Sequence, residues 1–209
     1  MKKIIITLTY IAATLVAATA RGQEADFADR LRVASATTRT IECDFTLTRT
    51  MSFMVSDVVS SGRFHYLRGE NGGGGIALDF IEPEGDRITM NPERFSITTG
   101  GKTSVVAVDS NPMLRQLQRM LTACMTGDLD MLREGSDIAF ADKGDTFGVI
   151  ITPKERRARS MVRRITLTFE KQHMSLTTLR MEEASGDVSQ YKFFNKTFNG
   201  AVDPARFAI

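Results

Sequence analysis

Apolar and polar residues alternate over residues 41–53. Ile41, Cys43, Phe45, Leu47, Met51 and Phe53 take the odd positions, with Arg49 as the one interruption; Glu42, Asp44, Thr46, Thr48, Thr50 and Ser52 take the even ones. Successive side chains of a strand point to opposite faces, so the pattern predicts a strand over Ile41–Phe53 with one buried and one wet face, as in an antiparallel sheet. Shorter runs predict strands near Val58–Leu67, Ile76–Ile81, Asp86–Met90, Phe95–Thr99 and Thr103–Asp109. Others follow near Ile138–Ala141, Phe147–Thr152, Arg163–Glu170, Leu176–Glu182 and Ser189–Phe194. Turn residues such as Gly100-Gly101, Lys143-Gly144-Asp145 and Ser185-Gly186-Asp187 separate them.

Two stretches carry helical periodicity instead. From Asp26 to about Thr38, Phe27, Leu31 and Ala34 fall at i, i+4 and i+7, and Asp26 is placed to cap the start. Later, Asn111 caps a helix that opens at Pro112, and Met113, Leu117, Met120 and Cys124 form its stripe. Leu114 and Leu121 widen that stripe, and Gly127 ends it. About ten strands with one apolar face then face only two helices. A sheet face must bury itself against another layer. The expectation is a mainly β (α+β) fold in which the antiparallel sheet either closes on itself or curls around a space that the helices only partly fill; a curled sheet under a helical lid would leave an apolar cavity.

The N-terminus reads as a secretory signal. Lys2 and Lys3 precede an apolar stretch from Ile4 to Val16, and Ala18-Thr19-Ala20 fits a small-x-small cleavage site. The run is shorter than the roughly 20 residues a membrane span needs. Residues 1–20 are therefore expected to be removed, with cleavage after Gly22 as the alternative, leaving one exported domain at 21–209. No Cys stands near the cleavage site to take a lipid. Losing Lys2 and Lys3 takes the formal charge from +2 to 0, which gives no argument for nucleic acid. Export permits a disulfide between Cys43 and Cys124, but two separate buried thiols fit equally well.

Candidate chemistry is sparse. Gly100-Gly101-Lys102-Thr103 resembles the end of a phosphate loop, but Ser96 stands where the first Gly of that pattern belongs, and a hairpin turn fits better. His65 lies in a predicted strand and His173 in a polar turn, and neither is placed as a base beside a nucleophile. Two Cys and two separated His make no zinc set. Glu182 and Glu183 would face opposite sides of a strand. No catalytic residue, metal or cofactor is expected. Lys154, Arg156, Arg157, Arg159, Arg163 and Arg164, relieved only by Glu155, form either a solvated loop or a dock for acidic headgroups or an acidic partner. The absence of Trp beside 13 Phe and many Met suits a pliable apolar interior.

The order of several segments carries a resemblance. The first helix runs into Ile41-Glu42-Cys43-Asp44-Phe45-Thr46, and Gly62-Arg63-Phe64-His65-Tyr66-Leu67-Arg68 follows. Then come Met90-Asn91-Pro92-Glu93-Arg94-Phe95, Asn111-Pro112 and Thr152-Pro153-Lys154. Met181, Gly186-Asp187, Phe193, Asn195, Asn199 and Val202 through Phe207 close the series. Over essentially the whole exported chain this resembles the outer-membrane lipoprotein carrier (LolA) family. It departs where Leu47 replaces a frequent Gln and where Gly69 follows Arg68. The resemblance implies the curled form, an open half-barrel, and a periplasmic, monomeric, ATP-independent carrier. It would take lipoproteins from an inner-membrane ATP-driven exporter to an outer-membrane acceptor. The expected acyl-binding residues are Phe45, Leu47, Phe64, Tyr66, Leu78 and Phe80 on the sheet, with Met113, Leu117, Met120 and Leu121 as the lid. Arg68 maps to the residue that latches the lid through its backbone carbonyls. A carrier of another envelope lipid and a lipid or lipoprotein sensor on the same fold are the alternatives.

Overall fold

The computed structural model describes residues 22, 24–69, 74–126, 128 and 130–209. The expected export signal lies outside them, as does Gly127. Helix α1 covers residues 24–37. The sheet begins with β1 (Thr40–Thr50), β2 (Val58–Arg68), β3 (Gly74–Glu82), β4 (Arg87–Met90), β5 (Arg94–Thr99) and β6 (Lys102–Ala107). Helices α2 (Pro112–Thr126) and α3 (Asp130–Arg133) follow, then β7 (Ser136–Lys143) and β8 (Thr146–Pro153). A single helical turn, α4 (Arg156–Arg159), precedes β9 (Val162–Glu170), β10 (Ser175–Glu183) and β11 (Val188–Phe198). The strands make one antiparallel sheet in the order β6-β5-β4-β3-β2-β1-β11-β10-β9-β8-β7. Its free edges are β6 and β7, so the sheet is open. Each half is a meander, and the pairing of β1 with β11 joins them.

The alternation in β1 is realised: Cys43, Phe45 and Leu47 are buried, and the residues between them are only partly covered. The strand stops at Thr50, earlier than its pattern predicts, so Met51 and Phe53 do not continue the inward face. The reason is local. Asp187 Oδ1 accepts hydrogen bonds from the Ser52 amide at 2.8 Å and the Ser52 hydroxyl at 3.0 Å, and the Met54 amide turns back to the Met51 carbonyl at 3.0 Å. These bonds draw the chain into the β1–β2 turn. Farther down, Phe45 lies opposite Gly62 in the ladder. A Cβ at Gly62 would sit 2.8 Å from the Phe45 ring and 2.2 Å from the Asp79 carbonyl oxygen, so only glycine fits under that ring. Gly100 and Gly101 have φ of +56° and +75° between β5 and β6, which makes the segment a hairpin turn.

Both long helices pack on one face of the sheet. Phe27 of α1 is fully buried, its ring 5.6 Å from Phe140 and 5.3 Å from each of Phe147 and Phe169. The edge-to-face contacts with Phe147 and Phe169 add about 0.5–1.5 kcal/mol each beyond burial. The Leu114 amide donates to Asn111 Oδ1 at 3.4 Å, so Asn111 caps α2 as its position predicts. Leu114, Met120 and Ala123 are buried beneath α2. The side chains of Met113 and Cys124 lie outside those described.

Two asparagines beside the β1–β11 seam have left-handed backbones, Asn195 at φ +53° and Asn199 at φ +58°. Asn tolerates this region because its short amide can bond locally. Asn195 Nδ2 donates to Asp44 Oδ2 at 2.9 Å, next to the register shift between Glu42 and Asp44. Asn199 accepts from the Arg39 amide at 2.7 Å and donates to the Thr37 carbonyl at 3.1 Å, fastening the end of α1 to the end of β11. Asn199→Ala loses both bonds and adds left-handed strain. It should cost about 2–3 kcal/mol in urea unfolding, and Asn199→Gly should recover about 1 kcal/mol of that.

Candidate functional site

The inner face of the sheet divides into two apolar clusters. One lies over β1, β2 and β3, where Cys43, Phe45, Leu47, Phe64, Tyr66 and Ile76 are buried. Leu78, Phe80, Leu121, Tyr191 and Phe193 pack against it. The sequence-predicted sheet residues Phe45, Leu47, Phe64, Tyr66, Leu78 and Phe80 thus share one cluster, joined by Leu121 from α2. Their rings largely fill the space between them. Phe45 stands edge-on to Phe80 at 5.2 Å, and Phe64 edge-on to Phe193 at 5.4 Å.

The second cluster lies between the helices and β8 to β10, and includes Phe27, Met120, Ile151, Ile165 and Leu167. Here the packing leaves room. A cavity of about 450 Å³ is lined by Leu117, Met120, Ile151, Val162, Ile165 and Met181, and by Met161 at the loop before β9. That volume is within the usual range of small-molecule sites, roughly 300–1,000 Å³. A smaller space of about 70 Å³ separates α1 from the sheet, between Leu31, Leu121, Phe64, Phe193, Leu176 and Leu179. Leu117 and Met120 therefore face the larger space, and Phe64 and Leu121 the smaller one. The contributions of β8 to β10 were present in the sequence as alternation, but nothing there ranked them above the aromatic strands.

Polar groups gather at one side of the smaller space. Lys196 Nζ donates to Ser175 Oγ at 2.7 Å, and Ser175 Oγ donates to Glu170 Oε1 at 2.8 Å. Burial lowers the Lys196 pKa, while the nearby Glu170 charge and Cys43 oppose the shift. Burial works to raise the Glu170 pKa, but amide hydrogen bonds from His173 and its neighbours and the Ser175 hydroxyl leave it below the usual value. Arg68 sits at the far end of β2. Its guanidinium donates to the carbonyls of Ser35 and, at 3.3 Å, Ala36. These carbonyls end α1, so the helix that Arg68 holds is α1, whereas the lid residues expected from sequence are on α2. A cation there also meets the negative end of the helix dipole. Burial raises the pKa of the neighbouring Tyr66 hydroxyl, and Arg68 offsets part of the shift.

His65 points to the opposite face from Phe64 and Tyr66. It is buried, with Nδ1 2.8 Å from Glu42 Oε1 and Nε2 3.3 Å from Asp79 Oδ2. Asp79 also meets Arg87 at 3.2 Å and Arg206 at 2.8 Å. This is a structural network on the outer face, away from the cavities. Among the described residues, no group of three or more His, Cys, Asp or Glu is arranged to hold a metal ion, and no helix is long and apolar enough to cross a membrane.

Cys43 is a free, buried thiol. Burial pushes its pKa up to about 12, with Lys196 lowering it and Asp44 adding to the rise. A thiol attacks as the thiolate. In Cys124→Ser protein, iodoacetamide should therefore leave Cys43 unmodified at pH 8 until urea unfolds the chain, as intact-mass spectrometry would show; rapid labelling of the folded protein would contradict this.

Comparison with known proteins follows the geometry. A crystal structure of a DUF1329 family protein from Desulfovibrio piger has a TM-score of 0.51 at 11% identity, covering 87% of this chain and 94% of that one. MucB in the Pseudomonas aeruginosa MucA/MucB complex gives 0.50 at 11% identity, covering 88% of this chain and 60% of that one. A domain from Vibrio parahaemolyticus assigned to outer-membrane lipoprotein sorting gives 0.50 at 8% identity, covering 88% and 95%. At such identities these similarities establish the shared fold. No curated protein sequence matches the chain. The family model for outer membrane lipoprotein carrier protein LolA matches residues 82–209. That segment is more than half of the chain and runs from the end of β3 through β11, including the α2 lid and every strand lining the larger cavity. The chain therefore belongs to the LolA outer membrane lipoprotein carrier family.

Proposed function

We propose that the protein is a periplasmic carrier, exported as residues 21–209 in one domain, that shelters lipoprotein acyl chains and moves them from the inner to the outer membrane. The observation that carries this reading is the apolar cavity of about 450 Å³ between α2 and β8 to β10, in a chain of the lipoprotein carrier family. The family is one of carriers rather than enzymes. In the proposed cycle no bond is made or broken and no cofactor is needed. A monomer accepts cargo from an ATP-driven exporter in the inner membrane and yields it to an outer-membrane acceptor. Each methylene kept from water is worth about 0.8 kcal/mol, so a tight hold on a long acyl chain needs only apolar volume.

The existing cavity is one part of the route. The smaller space beside Phe64 and Leu121 shares α2 with it. A shift of α2 would join the two and expose the Phe45 cluster. Arg68 is proposed to favour the closed arrangement through α1. Charge-assisted hydrogen bonds contribute about 1.5–3 kcal/mol, enough to bias closure and small enough for cargo to reverse it.

A second reading has one observation in its favour. MucB, which shares the fold, is seen in complex with the protein MucA. A module of this kind would bind lipid or lipoprotein without delivering it. A carrier of another envelope lipid is distinguished by its cargo.

Native mass spectrometry of protein purified from a periplasm should find acyl-bearing cargo, and the cargo-free protein should take up a fluorescent fatty-acyl probe. Absence of both would end the carrier reading. In a transfer assay between inner- and outer-membrane fractions, delivery marks a carrier and binding without delivery a sensor. Leu117→Glu places a charge against the larger cavity and should weaken probe binding at least tenfold or so. Arg68→Leu should remain folded yet load or unload at an altered rate; transfer at the wild-type rate would remove the latch role.

A further inference from the structure

The antiparallel order places alternate connections on one rim of the sheet. Thr50 pairs with Val188, Glu182 with Arg164, and Pro153 with Ser136. The β1–β2 turn (residues 51–57), the β10–β11 turn (184–187) and the β8–β9 loop (154–161) therefore lie side by side. Three strand spacings separate β1 from β9, roughly 14 Å at about 4.8 Å each.

The two outer members of this trio have complementary chemistry. At the β1–β2 tip, Phe53 is 77% exposed, Met54 42% and Val55 fully exposed, with Val58 and Val59 exposed behind them. The β8–β9 loop carries Arg156, Arg157 and Arg159, all exposed, and Arg163 follows at the start of β9. Among the described residues these four arginines pair with no carboxylate, whereas Lys154 meets Asp137 at 3.6 Å and Arg164 meets Glu182 at 2.8 Å. Of the acids on this rim, Asp187 is engaged by Ser52 and Glu182 by Arg164, while Asp57 in the β1–β2 turn, Glu155 in the β8–β9 loop and Glu183 at the end of β10 offset part of the positive charge. Glu82, Glu84 and Asp86 border the β3–β4 turn, on the far side of the apolar tip from the arginines. The larger cavity reaches this same loop: Ala158, Ser160 and Met161 are in its wall, and Met161 is 40% exposed.

We propose that this rim is a docking surface for an anionic lipid bilayer. Phe53, Met54 and Val55 enter the acyl boundary, and Arg156, Arg157 and Arg159 lie against lipid phosphates. The proposal rests on the carrier reading and adds to it the face that is turned to the membrane while cargo passes between the exporter or acceptor and the cavity. Three observations favour a bilayer over an acidic protein. The apolar tip projects free of the fold. The β8–β9 loop on its flank carries three unpaired arginines against one acid, Glu155. The cavity opens between tip and loop, where a chain in transit would otherwise cross water. Buried apolar area plus attraction to anionic headgroups is the recipe for interfacial binding.

The test is flotation of the full exported chain with phosphatidylcholine vesicles, with and without phosphatidylglycerol. Wild-type protein should float with the anionic vesicles only, and added salt should release it. Arg156→Glu with Arg159→Glu should lower partitioning by at least ~30-fold, from a loss of about a factor of five or more per cation. Phe53→Ser with Val55→Ser should lower it at least ~10-fold. The chain has no Trp, so Phe53→Trp provides a single reporter, and its emission should shift to the blue on anionic vesicles. All of these variants should take up soluble acyl probe as the wild type does. Flotation that ignores lipid charge, no flotation at all, or variants that float like the wild type would overturn the docking surface. Loss of probe uptake by the wild type itself would instead fail the carrier reading.

Discussion

The pairing of β1 with β11 holds the rest of the structure in place. These strands come from opposite ends of the described chain, and without their ladder the sheet would be two separate meanders. Such long-range pairing carries an entropic cost of closure that local hairpins do not. Both ends of the seam are accordingly tied by side chains. Asp187 holds Ser52 at one end, and Asn199 bridges to Thr37 and Arg39 at the other. The same ties set where β1 stops and where α1 ends. They thereby turn the apolar tip outward and bring the α1 carbonyls to Arg68.

Once the seam is closed, one apolar face runs across most of the sheet, short of the exposed edge strand β6, and the helices cannot cover it evenly. Over β1 to β3 the aromatic side chains are large enough to fill the space among themselves, with Gly62 leaving room for Phe45. Over β8 to β10 the lining is aliphatic and methionine-rich, and open volume remains beside α2. Protein interiors are otherwise packed like crystals, and a void forfeits contacts on every wall. The walls of this open apolar pocket lack such contacts on one side, and an apolar ligand would supply them. The polar network of His65, Glu42, Asp79, Arg87 and Arg206 lies on the outer face, where it reinforces the sheet without placing charge in the apolar layer.

The family match and the fold similarities cover different parts of the chain. The family model takes in residues 82–209, whereas the structural likenesses extend over nearly nine-tenths of the chain. The segments around Phe45 and Gly62–Arg68, which contributed to the resemblance in sequence, lie ahead of the matched region. Their support is geometric. The glycine is required beneath an aromatic ring, and the arginine reaches helix carbonyls. Both follow from packing in this sheet.

The sequence by itself determined the elements. Period-two alternation located all eleven strands to within a few residues, and the 3.6-residue stripes located both long helices, because those periods are properties of the local backbone. The excess of apolar sheet over helix left either a closed sheet or one curled around a space, and the resemblance to the carrier family pointed to the open form. The sequence could not tell that β1 ends at Thr50, since the apolar residues at 51 and 53 continue the pattern and only the distant Asp187 ends the strand. Nor could it say which inward-facing residues fill space and which border it. Phe45 and Leu47 are closed in, while Ile151, Ile165 and Met181 line the cavity, yet all carry the same signal of alternation. The register of β1 on β11 and the packing of α2 against the sheet made that distinction. Both are long-range relations between side-chain volumes, which local periodicity does not encode.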